Sequence, residues 1–146
     1  MTPSPSSLIT DVTMELIPFI YFYGRAEEAL EFYKSALGGS YDVIQRNVAS
    51  GDPRLDPSFV GKISYAIFTA SGISFALSDG GGPRTLGPDE GNITLSLRIP
   101  SVTKAQEIFA ALAEGGTVKA EFGDVPWGGK FGHVRDRYQN EWFILS

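Results

Sequence analysis

The fold is decided by the stretch GRAEEALEFYKSALGG, residues 24–39. Its apolar residues recur at steps of three and four, with charged residues on the other faces, which predicts an amphipathic helix over 25–37. Gly38 and Gly39 end that helix, because glycine reaches the left-handed conformation that helix C-termini commonly need. The apolar, aromatic run at 16–22 predicts a strand before the helix, buried on both faces.

The second half of the chain repeats this order. Residues 93–99 alternate between apolar and polar, which predicts a half-buried strand. Ser101 is expected to cap a helix over 102–114 that places Val102 on its apolar side and ends at a second diglycine. One constant offset lays Ala29 over Ala105 and Tyr33 over Phe109. An internal duplication is the simplest explanation.

Three further strands are predicted behind each helix, at 41–47, 62–70, 73–78, 117–122, 131–136 and 141–145. Each half is then a βαβββ unit. The fold class is α+β, with tandem repeats that form a curved, half-open mixed sheet carrying its helices on the outer face. We expect a disordered tail at 1–14 followed by a single domain at 15–146. The two halves of this domain are expected at about 15–79 and 91–146, joined by a linker at 80–90.

Composition narrows the possible partners. The net charge of -5 leaves no basic stripe for nucleic acid, and no apolar run is long enough to span a membrane. Neither a nucleic acid nor a membrane is an expected partner. The chain has no cysteine, and its start lacks the pattern of a secretory signal, so we expect a cytoplasmic protein.

The tandem layout, the helix stretch at 24–33 and the segment WGGKFGHVRD at 127–136, followed by Trp142, resemble the glyoxalase/bleomycin-resistance superfamily. This group is also called the vicinal oxygen chelate superfamily, and the PhnB-like branch is the most similar. The resemblance covers about residues 16–145. It implies a pocket for a small molecule and a homodimer that completes the pocket.

The resemblance also implies four positions for metal ligands, which fall near Leu16, near Ala76, at Asn92 and at Phe143. Three of these residues are apolar, and an amide oxygen is a poor ligand for a transition metal. We therefore expect no metal and no cofactor. Tyr65 stands where the PhnB-like branch often has a histidine, so the role of that histidine does not carry over.

Candidate ligand-binding residues are aromatic and polar side chains on or beside the strands around the expected cavity: Tyr65, Phe75, Asn92, Trp127, Phe131, His133 and Phe143. His133 is the only histidine, but without a placed partner it is more often a structural residue than a base. Asp136 is expected to cap a turn, and Glu141 to be solvated at the start of a strand. The glycine-rich loop at 80–91 lacks the spacing of a phosphate-binding loop and is interpreted as a connection or lid.

Two functions remain open, and the sequence does not decide whether the protein is an enzyme. The first is metal-independent binding of a small apolar or aromatic molecule. The second is a metal-dependent lyase, isomerase or dioxygenase with the non-standard ligands Asn92, Glu141 and His133. A weaker third possibility is an interaction module with a collapsed pocket.

Overall fold

The computed structural model describes residues 13–87 and 90–146, so the predicted tail lies almost entirely outside the described residues. Within these ranges, each half has one α-helix and four strands. The first half contains β1 (Phe19–Tyr21), α1 (Ala26–Leu37), β2 (Ser40–Arg46), β3 (Ile63–Ala70) and β4 (Ile73–Ser78), with a short 3-10 helix at Pro57–Phe59. The second contains β5 (Thr94–Arg98), α2 (Val102–Ala113), β6 (Thr117–Asp124), β7 (Lys130–Arg135) and β8 (Glu141–Leu145).

The two halves form separate four-stranded sheets of identical topology. The strand orders are β1-β4-β3-β2 and β5-β8-β7-β6. In each sheet the first strand of the unit runs parallel to the last, and the other neighbours are antiparallel. The predicted α+β class with tandem βαβββ units and half-open mixed sheets is confirmed.

Both helices pack on one side of the sheets and touch each other, so a single core joins the halves. The residues that the offset aligns are buried together: Ala29, Tyr33, Ala105 and Phe109. Ring contacts join Tyr33 to Phe75 at 5.4 Å and to Trp142 at 5.9 Å between centroids. We call this side of each sheet the helix face and the opposite side the open face.

The diglycines are required by packing as well as by helix termination. Gly39 has a φ of +88°, and a Cβ atom there would lie 2.1 Å from the carbonyl oxygen of Thr69. At Gly116 a Cβ atom would lie 2.2 Å from the carbonyl oxygen of Arg135. Neither distance is physically possible for a side chain, so each helix end approaches its sheet through a glycine.

Two local expectations were wrong, and one was confirmed. β1 is three residues long rather than seven, and it is not buried on both faces, because Phe19 and Tyr21 are 48% and 50% exposed. Val102 was expected on the apolar side of α2 but is 42% exposed, since it lies at the first position of the helix. Ser101 caps α2 as predicted, by accepting a hydrogen bond from the Lys104 N–H at 3.2 Å.

Within the described ranges, no helix combines the length and the apolar character needed to cross a membrane.

Candidate ligand-binding site

A cavity of about 510 Å³, here called the main cavity, lies between the edge strands β1 and β5 and opens beside the open face of the second sheet. One wall comes from residues around β1, and the other from residues on β5, β6, β7 and β8. Its lining includes Phe19, Tyr21, Tyr23, Leu86, Glu90, Asn92, Ile93, Lys119, Arg135 and Glu141.

The β1 wall is aromatic. Phe19 pairs with Ala76 and Tyr21 with Ser78 in the parallel ladder, so both rings lie on the open face while Ile20 packs towards the core. The two rings lie 5.3 Å apart between centroids. This short, apolar edge strand therefore presents two partly exposed rings to the main cavity.

The opposite wall is charged and is organised around Glu141. Its Oε1 lies 2.8 Å from His133 Nε2 and 3.2 Å from Lys119 Nζ, and its Oε2 lies 3.5 Å from Arg135 Nε. Because Arg135 pairs directly with Glu141 across β7 and β8, the side chains share one face. Glu141 is thus a partly buried carboxylate surrounded by cationic groups, rather than the solvated residue we predicted.

Behind this wall, Asp136 ties both halves together. Its Oδ2 accepts hydrogen bonds from the Tyr33 hydroxyl at 2.5 Å and from Trp142 Nε1 at 2.9 Å, and its Oδ1 accepts from the N–H groups of Tyr138 and Asn140. Burial raises the pKa of the Asp136 carboxyl above its ordinary value, and the hydrogen bonds offset part of that rise. The prediction of a turn-capping, structural Asp136 is confirmed.

Residues 14–145 match the family described as 3-demethylubiquinone-9 3-methyltransferase. The chain belongs to this family. The description names a methyltransferase, but an activity does not transfer with a fold. No functionally curated protein matches this family member at a significant level.

Solved structures place the family member among glyoxalase-like folds. The protein PA1353 from Pseudomonas aeruginosa is 27% identical, with a TM-score of 0.72, over 91% of this chain and 97% of that one. A putative 3-demethylubiquinone-9 3-methyltransferase, PhnB protein, from Bacillus cereus is 24% identical, with a TM-score of 0.69, over 90% and 98%. A glyoxalase-related enzyme from Fulvimarina pelagi is 18% identical, with a TM-score of 0.56, over 90% and 88%. The predicted resemblance to the PhnB-like branch is confirmed.

The residues at the superfamily's expected metal positions do not fit a metal ion in this family member. Leu16, Ala76 and Phe143 have no side-chain donor atoms, and Leu16 is 91% exposed. Among the described residues, no three His, Asp or Glu side chains come together to hold an ion. Glu141 already lies beside two cations, which oppose the approach of a third positive charge. The expectation of a metal-free protein stays a prediction.

The structure distributes the predicted lining residues over four places. Asn92 lines the main cavity, and Tyr65 stacks on Phe19 at 6.1 Å on the open face of the first sheet. Phe75 is 3% exposed and packs in the core between Tyr33 and Phe68, so it does not belong to an open face.

The remaining four form a row on the open face of the second sheet, outside the main cavity. Phe143 contacts both Phe131 at 5.1 Å and His133 at 4.7 Å between ring centroids. Trp127 contacts Phe131 at 6.2 Å and is 74% exposed. Whether these residues bind a ligand stays a prediction.

Sequence reasoning did not select Phe19, Tyr21 or Lys119 as lining residues. The apolar run around β1 gave no sign that one of its faces is uncovered. Lys119 lies on β6, where the pairing with β7 shifts register on both sides of Ala120. Such irregularities break the alternation that would assign a side chain to a face.

Proposed function

We propose that this protein binds a small molecule with an aromatic or apolar body in the main cavity, without a metal. The observation that carries the proposal is the composition of the lining, in which two aromatic rings from β1 face a polar wall that contains Asn92, Lys119 and Arg135. Small-molecule sites are commonly apolar concavities with a few placed polar groups.

The size of the main cavity supports this function. Its volume of about 510 Å³ lies within the range of roughly 300–1,000 Å³ that is usual for ligand pockets. Phe19 and Tyr21 are about half exposed, so a flat ligand that covers them would remove apolar surface from water. The collapsed-pocket alternative requires this space to be filled by side chains.

We also propose that the protein acts as a homodimer. Large apolar side chains remain exposed on edge strands outside the main cavity, including Ile44 on β2 and Val118 on β6. Edge strands flank both sheets, and a second copy that covers them would bury this surface and protect the edges. Light scattering at micromolar concentration should give the mass of two chains, and a monomer alone would contradict the dimer.

A metal-dependent lyase, isomerase or dioxygenase is the second candidate. The contact of 2.8 Å between His133 and Glu141 favours it, as does the presence of Asn92 in the cavity that Glu141 lines. The adjacent Lys119 and Arg135 oppose it. If a near-stoichiometric amount of Zn²⁺, Mn²⁺ or Fe²⁺ raises the melting temperature and a chelator reverses that rise, the second candidate is favoured over the first.

Binding of the neutral probe 2-naphthamide tests the first candidate. Titration calorimetry should detect binding to the wild type, and Tyr21→Ala should weaken it by about 1–3 kcal/mol, roughly 5- to 150-fold in Kd, because a ring is lost from the cavity wall. Trp127→Ala is the matched control, since that aromatic residue is exposed and lies outside the main cavity.

Two results would count against the proposed site. Absence of binding to the wild type contradicts a pocket for neutral aromatic ligands. Binding that Trp127→Ala abolishes and Tyr21→Ala leaves intact would move the site to the aromatic row on the second sheet.

A further inference from the structure

A second, smaller cavity of about 180 Å³ lies beside the main cavity. Four residues line both, namely Tyr21, Tyr23, Leu86 and Gln139. The two spaces therefore share walls and are direct neighbours. We call the smaller space the arginine cavity because of the side chains that distinguish it.

Three arginines line the arginine cavity: Arg25, Arg84 and Arg137. None of its lining residues within the described ranges is an aspartate or glutamate. This is unusual in a chain that carries 17 acidic residues, 12 basic residues and a net charge of -5. The described lining of this small space is basic, although the protein as a whole is acidic.

Two of the arginines are held by packing and hydrogen bonds. The Arg25 guanidinium lies 4.6 Å from the centre of the Tyr138 ring, and its Nη1 donates to the carbonyl oxygen of Arg137 at 3.4 Å. Arg137 lies 4.4 Å from the centre of the Phe32 ring and donates to the Glu114 carbonyl oxygen from both Nε and Nη2. These contacts fix two positive groups in place before any ligand arrives.

Carboxylates neutralise the site only in part. Glu28 pairs with Arg25 at 2.6 Å and Glu90 pairs with Arg84 at 3.4 Å, both between exposed side chains. Exposed pairs of this kind are weak, so a ligand anion can compete with them. Tyr138, which also lines this cavity, is a neutral phenol at neutral pH, and burial, with the nearby charge of Glu28, raises its pKa further to about 12.

We propose that the arginine cavity binds the phosphate group of a ligand whose aromatic or apolar body lies in the main cavity. This inference rests on the proposed function and adds the chemical class of the ligand, a small aromatic phosphate monoester. Guanidinium groups match the geometry of phosphate oxygens and form strong charge-assisted hydrogen bonds with them. A described lining with three arginines and no carboxylate favours a doubly charged phosphate over a singly charged carboxylate.

Calorimetry with matched probes tests the assignment. 2-Naphthyl phosphate should bind roughly tenfold more tightly than neutral 2-naphthamide, with 2-naphthoate between them. Inorganic phosphate should compete with 2-naphthyl phosphate and leave the binding of 2-naphthamide unchanged. These comparisons separate recognition of the phosphate group from recognition of the ring.

The variant Arg84→Gln tests the cavity directly, because this side chain is exposed and makes few contacts that the fold needs. It should raise the Kd for 2-naphthyl phosphate by roughly three- to tenfold and leave the Kd for 2-naphthamide unchanged. Arg54→Gln is the control, since Arg54 is also an exposed arginine paired with a carboxylate but does not line either cavity.

The variant Glu90→Gln should have the opposite sign. It removes the carboxylate that pairs with Arg84, so 2-naphthyl phosphate should bind roughly two- to fivefold more tightly. Glu90 also lines the main cavity, so 2-naphthamide is measured in parallel, and the gain should be clearly larger for the phosphate probe. A role of Glu90 in folding alone would not tighten binding of the charged probe more than that of the neutral one.

The possible results separate this inference from the function on which it rests. If 2-naphthamide binds through Tyr21 but the phosphate probe gains nothing and the Arg84 and Glu90 variants have no effect, the phosphate assignment is wrong and the binding function stands. If no probe binds, both are wrong. Tighter binding of 2-naphthoate than of 2-naphthyl phosphate would also overturn the assignment to phosphate.

Discussion

The open faces of the two sheets differ much more than their helix faces. On the helix faces, aligned residues such as Ala29 and Ala105 are buried in one shared core. On the open faces, the first sheet presents the rings of Phe19, Tyr21 and Tyr65. The second combines the rings of Phe131 and Phe143 with the charged group around Glu141. A duplicated unit has thus kept the side that holds the fold and changed the side that faces the cavity.

This difference assigns separate roles to residues that are neighbours in sequence. Trp142 and Phe143 are adjacent on β8, but Trp142 is 1% exposed in the core and Phe143 lies on the open face with His133. Stability should therefore depend on one face and ligand binding on the other. The following variants compare the two faces, in order of expected effect.

Trp142→Ala should lower the free energy of unfolding by about 3–5 kcal/mol, because it leaves a large cavity and removes a donor from Asp136. Phe143→Ala, on the opposite face of the same strand, should cost less than about 2 kcal/mol. Urea denaturation measures both. Equal losses would show that the open face of the second sheet also carries the fold.

Asp136→Asn should lower the free energy of unfolding by about 1–3 kcal/mol, because an amide cannot accept the four hydrogen bonds that the carboxylate accepts. Burial raises the pKa of Asp136 in the folded protein, so the folded state retains this proton better than the unfolded chain. The contribution of the group is then complete below its unfolded pKa of about 3.9 and decreases as the pH rises through the folded pKa.

The stability advantage of the wild type over Asp136→Asn should therefore shrink as the pH rises above that value. Asp56→Asn provides a control of opposite sign, since hydrogen bonds from Ser58 lower the pKa of Asp56. Its wild-type advantage should shrink as the pH falls instead. Urea titrations across acidic pH measure both trends, and parallel trends would contradict the buried-carboxylate argument.

Lys119→Gln should change the free energy of unfolding by less than about 1 kcal/mol, because partly exposed ion pairs contribute little to stability. Lys130→Gln breaks a comparable ion pair with Asp124, away from the main cavity, and should change the free energy of unfolding by a similarly small amount. A much larger loss for Lys119→Gln would mean that the charged group around Glu141 serves the fold, and that the contrast between faces is less complete than described.

The helix faces were predictable from sequence because their signals are local and repeated. The three- and four-residue spacing around Tyr33 and the matching positions around Phe109 specify helices, and the diglycines specify where they end. The turn-capping role of Asp136 followed from the resemblance, which places this residue at the turn between the last two strands. These features need little knowledge of how the sheets are arranged.

The main cavity was harder to predict because its walls come from segments distant in the chain. An apolar run such as 16–22 does not show which of its faces another layer will cover. Arg25 and Arg137 meet only because α1 packs near the turn between β7 and β8, more than a hundred residues away. The strand that contains Phe75 was predicted correctly, but its side chain was assigned to the wrong face. It lies on the helix face, in the core, and not on the open face.

A crystal structure of the protein with 2-naphthamide tests the central claim most directly. The account predicts the naphthyl ring between β1 and β5, in contact with Tyr21, and the amide turned towards the polar wall at Asn92 or Lys119. A ring bound instead against Trp127 and Phe131, with the space between β1 and β5 left empty, would contradict it.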